Sequence, residues 1–62
     1  MMTLGQKMTR YRAKHKMTQK DLAQAVGVTV QTICNIETEQ QTPSRLTEQK
    51  ILLVIEEEEH ED

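Results

Sequence analysis

The sequence predicts an all-α fold, a small bundle of four to five helices. Apolar residues recur at helical spacing along most of the chain. The helical stretches begin at Thr3, Thr18, Thr29 and either Ser44 or Thr42, residue types whose hydroxyls satisfy the free N–H groups at a helix start. Gly27 stands between two such stretches, where a left-handed turn would end one helix before the next begins.

Each element follows from its own pattern. Thr3 caps a first helix to about Lys14, with Leu4, Met8 and Tyr11 on its buried side and Lys7, Arg10 and Lys14 on or near the other. Thr18 caps a second helix, and Asp21 three residues later completes a capping box. Leu22, Ala23 and Val26 form its apolar side. Gly27 turns the chain, Val28 packs under the turn, and Thr29 caps a third helix over about 30–38, with Ile33 and Ile36 inward. "TEQQTPS" is polar, ends beside the only proline, and reads as a loop. The run "ILLVI", 51–55, fits a buried strand as well as a helix. A helix from about 44 to 56 is favoured because "RLTEQK" leads into it without a breaker; the strand reading would make it a C-terminal arm pairing with a partner chain. On a helix, Ile51, Leu52 and Ile55 share one side, while Leu53 and Val54 point elsewhere and suggest a second buried surface.

Sixty-two residues make one small domain. A chain of this size buries only about 60% of its unfolded surface, so oligomerisation is a natural source of further burial. With Tyr11 the single aromatic residue, the core must come from Leu, Ile, Val, Met and Ala. One cysteine, Cys34, forms no staple within the chain and suits a reducing cytoplasm. No apolar run approaches the ~20 residues of a membrane span. The net charge of −2 hides an asymmetry. Residues 1–55 hold eight basic and four acidic side chains, a balance of +4, and residues 56–62 carry six acids. The expected organisation is a functional domain over 1–55, with 44–55 also serving dimerisation, followed by an acidic disordered tail, 56–62. A tail folding back on the basic helix would compete with an anionic partner. No nucleophile–base set, metal-ligand cluster or phosphate loop is present, and His15 and His60 show no ligand spacing; no enzyme, cofactor, metal or small-molecule substrate is expected.

The most specific signal is the twenty-residue stretch 19–38. Ala23 is small where two helices would cross closely, Gly27 occupies the turn, and Leu22, Val26, Val28, Ile33 and Ile36 fall at the inward positions. This is the helix-turn-helix pattern, which presents its second helix to the DNA major groove. The chain resembles the phage-repressor-like helix-turn-helix family, the lambda-repressor-like or XRE-type domains that include Cro proteins. "LGQKMTRYR" looks like the family's first helix and "MTQKDLAQAVGVTVQTICNIE" like its helix-turn-helix, so the resemblance covers residues 4–44. It implies a dimer reading an inverted-repeat operator, and a structural pair between Arg12 and Glu37. Two departures stand out. Lys16 occupies the usual glycine position between the first two helices, at a cost of about 1 kcal/mol if that position is left-handed. The usual glycine after the third helix is also missing, with "ETEQQ" in its place.

On this reading Val30, Gln31, Thr32 and Asn35 are the expected base contacts. Amide side chains match the donor and acceptor of adenine, and Val30 would press on a thymine methyl. Gln19 is expected against a phosphate, where the helix N-terminus offers N–H groups to the same anion and Thr18 caps it. Lys20, Thr29, Thr38, Gln40, Gln41, Arg45 and Arg10 are further phosphate candidates. Leu53 and Val54 are the expected dimer interface. The expected function is sequence-specific binding of double-stranded DNA by a homodimeric repressor. The alternative is a protein-interaction module, anti-repressor or antitoxin-like, that uses the apolar and acidic C-terminal segment.

Overall fold

The computed structural model describes residues 2–56; Met1 and 57–62, which include His60 and nearly all of the expected acidic tail, lie outside the described residues. Four α-helices follow in chain order: α1 Leu4–His15, α2 Gln19–Val26, α3 Val30–Glu37 and α4 Arg45–Ile55. The segment 51–55 is helical, which corrects the strand alternative. A strand would place Ile51, Leu53 and Ile55 on one face. Instead Ile51 and Ile55, one turn apart, are buried, and Leu53 is 70% exposed.

The helix starts are local chemistry. The hydroxyls of Thr3, Thr18, Thr29 and Ser44 accept hydrogen bonds from the N–H groups of Gln6, Asp21, Thr32 and Thr47. In α1 and α2 the bond is reciprocated by Gln6 and Asp21, closing full capping boxes. The helix ends share a second device. Lys16 (φ 56°), Gly27 (φ 92°) and Glu39 (φ 61°) are all left-handed. After α1, Met17 N–H returns to Arg12 C=O at 2.9 Å; after α2, Val28 N–H returns to Ala23 C=O at 3.0 Å; after α3, Gln40 N–H returns to Asn35 C=O at 2.9 Å. Each is the six-residue closure that satisfies the last carbonyls of a helix.

The core draws on every helix: Met8 from α1, Leu22 and Ala23 from α2, Ile33 and Ile36 from α3, Ile51 and Ile55 from α4. Met8, Leu22, Ile33 and Ile51 are fully buried, and each such side chain stabilises by about 1.5–3 kcal/mol relative to exposure. Val54, expected on a separate surface, packs partly against this core; Leu53 does not. His15, expected at the surface, is half-buried with its ring 4.3 Å from that of Tyr11. Gly5 decides how closely α1 meets the end of α3. A Cβ there would stand 2.6 Å from Ile36 O and 3.0 Å from Glu37 Cα, both backbone atoms. Lys7 Nζ of α1 meets Glu56 Oε2 just beyond α4 at 3.3 Å, an exposed pair of small energetic weight.

Candidate nucleic-acid interface

The α2–Gly27–α3 unit is held from behind by one carboxylate. Glu37, at the end of α3, accepts Arg12 Nε at 2.8 Å on one oxygen and an Arg12 terminal nitrogen at 2.8 Å on the other. The remaining Arg12 nitrogen donates to Met17 C=O at 3.2 Å, in the turn between α1 and α2. Gln19 Nε2, at the start of α2, donates to Glu37 Oε1 at 3.0 Å. One charged cluster thus ties three helices and a turn. Burial pushes the Glu37 carboxyl up, but the hydrogen bonds from Arg12 and Gln19, with the Arg12 charge, outweigh it and hold the group below its ordinary range. The same hydrogen bond to Glu37, with the Glu37 charge, outweighs the cost of burial and raises the Arg12 guanidinium. A bidentate pair with side chains only 20% and 6% exposed is a rigid brace.

In front of that brace lies an uncharged polar surface. Val30 is 46% exposed, Gln31 is exposed, and Thr32 and Asn35 are half-buried. Thr32 Oγ1 lies 2.9 Å from Thr29 Oγ1, so the cap and first turn are joined by hydroxyls. Gln31 Nε2 donates to Asn35 Oδ1 at 2.9 Å, and Asn35 Nδ2 donates to Gln41 Oε1 at 3.1 Å. Thr38 Oγ1 is turned back on Cys34 C=O at 2.8 Å. Gln40 and Gln41 are exposed in the connection to α4.

At the edge formed by the start of α2, Thr18 Oγ1 accepts from Asp21 N–H, and Lys20 is exposed. The bonds from the Thr18 backbone and hydroxyl hold the Asp21 carboxyl low. Gln19, expected against a phosphate, is half-buried with one amide hydrogen spent on Glu37. Arg45 opens α4 and is exposed. Arg10 stands on α1 with its guanidinium 3.8 Å from Met2 Sδ, while the bonds joining α1 to α3 run through Arg12. Hydrogen bonds thus join Thr29 to Thr32 and Gln31 to Asn35 and Gln41 along this polar side, while Ile33 and Ile36 of the same span are buried; Arg10 and Arg45 belong to other elements.

Three features carry little or no local signal in the sequence. Gly5 sets the approach of α1 to α3. Leu46, 63% exposed, lies seven residues before Leu53 and so on the same face of α4; that i, i+7 spacing was visible in the sequence. The amide chain through Gln31, Asn35 and Gln41 has no sequence signal beyond the four-residue spacing of its first pair. Among the described residues, no group of three metal-ligating side chains occurs and no helix is long and apolar enough to cross a membrane.

Two short helices joined by a left-handed glycine, the second exposing a neutral hydrogen-bonding face, define a helix-turn-helix nucleic-acid-binding domain. A family model described as Helix-turn-helix (HTH_3) matches residues 8–58, and the chain belongs to that family, the XRE or lambda-repressor-like group. It is a DNA-binding transcription regulator of the XRE type, in a family of regulatory domains that are generally non-enzymatic. None of the curated proteins and none of the solved structures compared with the chain matches it.

Proposed function

We propose that the protein is a sequence-specific repressor of the Cro or phage-repressor kind that binds an inverted-repeat operator as a homodimer. The observation that carries this is the neutral face at the start of α3, with Val30 and Gln31 exposed in front of the half-buried Arg12–Glu37 brace. Neutral tips discriminate between bases, because unlike cations they do not bind every phosphate alike. In this reading Val30, Gln31 and Thr32 reach base edges, and Asn35 lies behind Gln31. Thr18, Gln19, Lys20, Thr29, Thr38, Gln40 and Gln41 flank them toward the phosphates, with Arg45 and Arg10 as outlying cations. Gln19 keeps one amide hydrogen for that purpose, beside the N–H groups of the α2 N-terminus. Dimerisation uses the exposed α4 face, with Leu53 at its centre and Leu46 and Val54 beside it.

The test is selection of binding sites from random double-stranded DNA, followed by a salt titration on the enriched site. The expected result is a palindromic consensus with half-sites one helical turn apart, about 34 Å. Affinity should fall steeply with salt, as release of counterions from several phosphates requires. Leu53→Asp should abolish the palindrome's advantage over a single half-site. A library that returns no preferred site refutes the proposal. Retention of biological function by a Gln19→Ala, Gln31→Ala double variant, with loss in Leu53→Asp, would point to the protein-interaction alternative.

A further inference from the structure

We propose that Gln41, in the connection between α3 and α4, is a positioning residue that sets which hydrogen-bonding edge Gln31 offers to a base. The proposal rests on the DNA-reading function above and deepens it. Three amides lie in series, with Gln31 Nε2 donating to Asn35 Oδ1 and Asn35 Nδ2 donating to Gln41 Oε1. An Asn or Gln amide has one oxygen acceptor and two N–H donors. Asn35 therefore meets one neighbour with each end, and the series has a direction. In the observed direction Gln31 has spent one N–H and keeps one N–H together with its oxygen. That donor and acceptor match adenine N7 and the adenine amino group. If all three amides turned over, Gln31 would spend its oxygen on Asn35 and offer two N–H groups, the pattern that suits the paired acceptors of guanine.

The direction is set at the Gln41 end. With its oxygen committed to Asn35, Gln41 keeps both N–H groups for an acceptor. A phosphate accepts and never donates, so a phosphate at Gln41 would favour this direction over the reverse. The fold brings Gln41 to this place through the left-handed Glu39, which reverses the chain after α3, and through the Gln40 N–H bond to Asn35 C=O at 2.9 Å. Fixing the rotamers of Gln31 before DNA arrives also removes ordering that binding would otherwise require.

The experiment compares Gln41→Ala and Gln41→Glu with the wild-type chain on the selected operator and on variants carrying each base at the position Gln31 reads, located by the effect of Gln31→Ala. The readout is the ratio of affinities for adenine and guanine there, which a uniform change in binding does not move. Gln41→Ala should lower that ratio about three- to tenfold, part of the discrimination a bidentate contact supplies. Gln41→Glu, which accepts but does not donate, should keep the preference while binding more weakly overall through its added charge. An unchanged ratio in Gln41→Ala with weaker binding to every site overturns the proposal and leaves Gln41 as a phosphate contact only. Loss of the preference in Gln41→Glu overturns it as well. A wild-type chain with no preferred site removes the DNA-reading function itself, an outcome distinct from failure of the amide series.

Discussion

Replacing Lys16 with glycine should stabilise the protein, although the substitution removes a side chain and adds freedom to the unfolded chain. Lys16 sits at φ 56° and ψ 44° at the end of α1. A residue with a Cβ in that conformation is strained by about 1–2 kcal/mol. Glycine relieves the strain but loses about 0.5–1 kcal/mol through the entropy of the unfolded state. The net gain is about 0.5–1 kcal/mol, which in a domain of this size raises Tm by about 2–8 °C. Glu39, at φ 61°, follows the same reasoning with one offset. Its carboxylate accepts a 3.3 Å bond from Thr3 Oγ1, which Glu39→Gly would lose. An exposed bond of that length is a small term, so the gain at Glu39 should be somewhat below that at Lys16. The two sites follow different helices and share no partner, so their effects should add. Gly27→Ala supplies the opposite sign. Apart from the adjoining residues, no atom lies within 4 Å of a Cβ built there, so its loss would report backbone strain alone. The assay is thermal and urea unfolding followed by circular dichroism. A lower Tm in Lys16→Gly, or a neutral Gly27→Ala, would refute the assignment of these helix ends to left-handed closures.

Gly5→Ala should destabilise the fold by about 1–3 kcal/mol, because the new methyl meets backbone atoms that no rotamer change can clear; a urea midpoint equal to the wild type's would contradict the close approach of α1 to α3. Glu37→Gln should cost about 1–3 kcal/mol near neutral pH, the worth of hydrogen bonds to a charged group. Its effect should also fade in acid. The folded carboxyl titrates below its ordinary 4.5, so its contribution is complete above the unfolded pKa and is lost as pH falls through the folded value. Urea midpoints of wild type and Glu37→Gln should therefore converge as pH drops below about 4.5; a gap that widens there would show the sign to be wrong.

The fold was legible wherever its cause is local. The caps at Thr3, Thr18 and Thr29 and the glycine at position 27 depend on a few adjacent residues, and the structure builds helix starts and a turn from them; of the two candidates for the fourth cap, Ser44 and Thr42, it uses Ser44. The run 51–55 stayed ambiguous because five apolar residues have no period until a neighbour selects one. The neighbours are Met8, Leu22 and Ile33, and the core they form accepts Ile51 and Ile55 on one helical face. The left-handed end of α1 at Lys16 and the Arg12–Glu37 contact were legible only through family resemblance, since a lysine signals no left-handed turn and the two charges are 25 residues apart.

The parts of the interface that escaped the sequence are those in which backbone geometry gives a side chain its task. Glu39 has no propensity for φ 61°, yet closure after α3 places it there and carries the chain back over Asn35. Gln41 then becomes a neighbour of α3, although "TEQQTPS" reads as a polar loop with Gln41 one of its phosphate candidates and gives no sign of a bond to Asn35. Gly5 acts in the same way from the other side. By admitting the Ile36 carbonyl and the Glu37 backbone against α1, it lets Arg12 reach the Glu37 carboxylate from below. The exposed face of α3 is therefore set by contacts at its C-terminal end, with Arg12 and Gln19 behind Glu37 and Gln41 beside Asn35, while Val30, Gln31 and Thr32, three of the four residues expected to read bases, stand at its N-terminal end. Substitutions at Gly5, Glu39 or Gln41 should consequently change how DNA is read, even where the altered side chain touches no base.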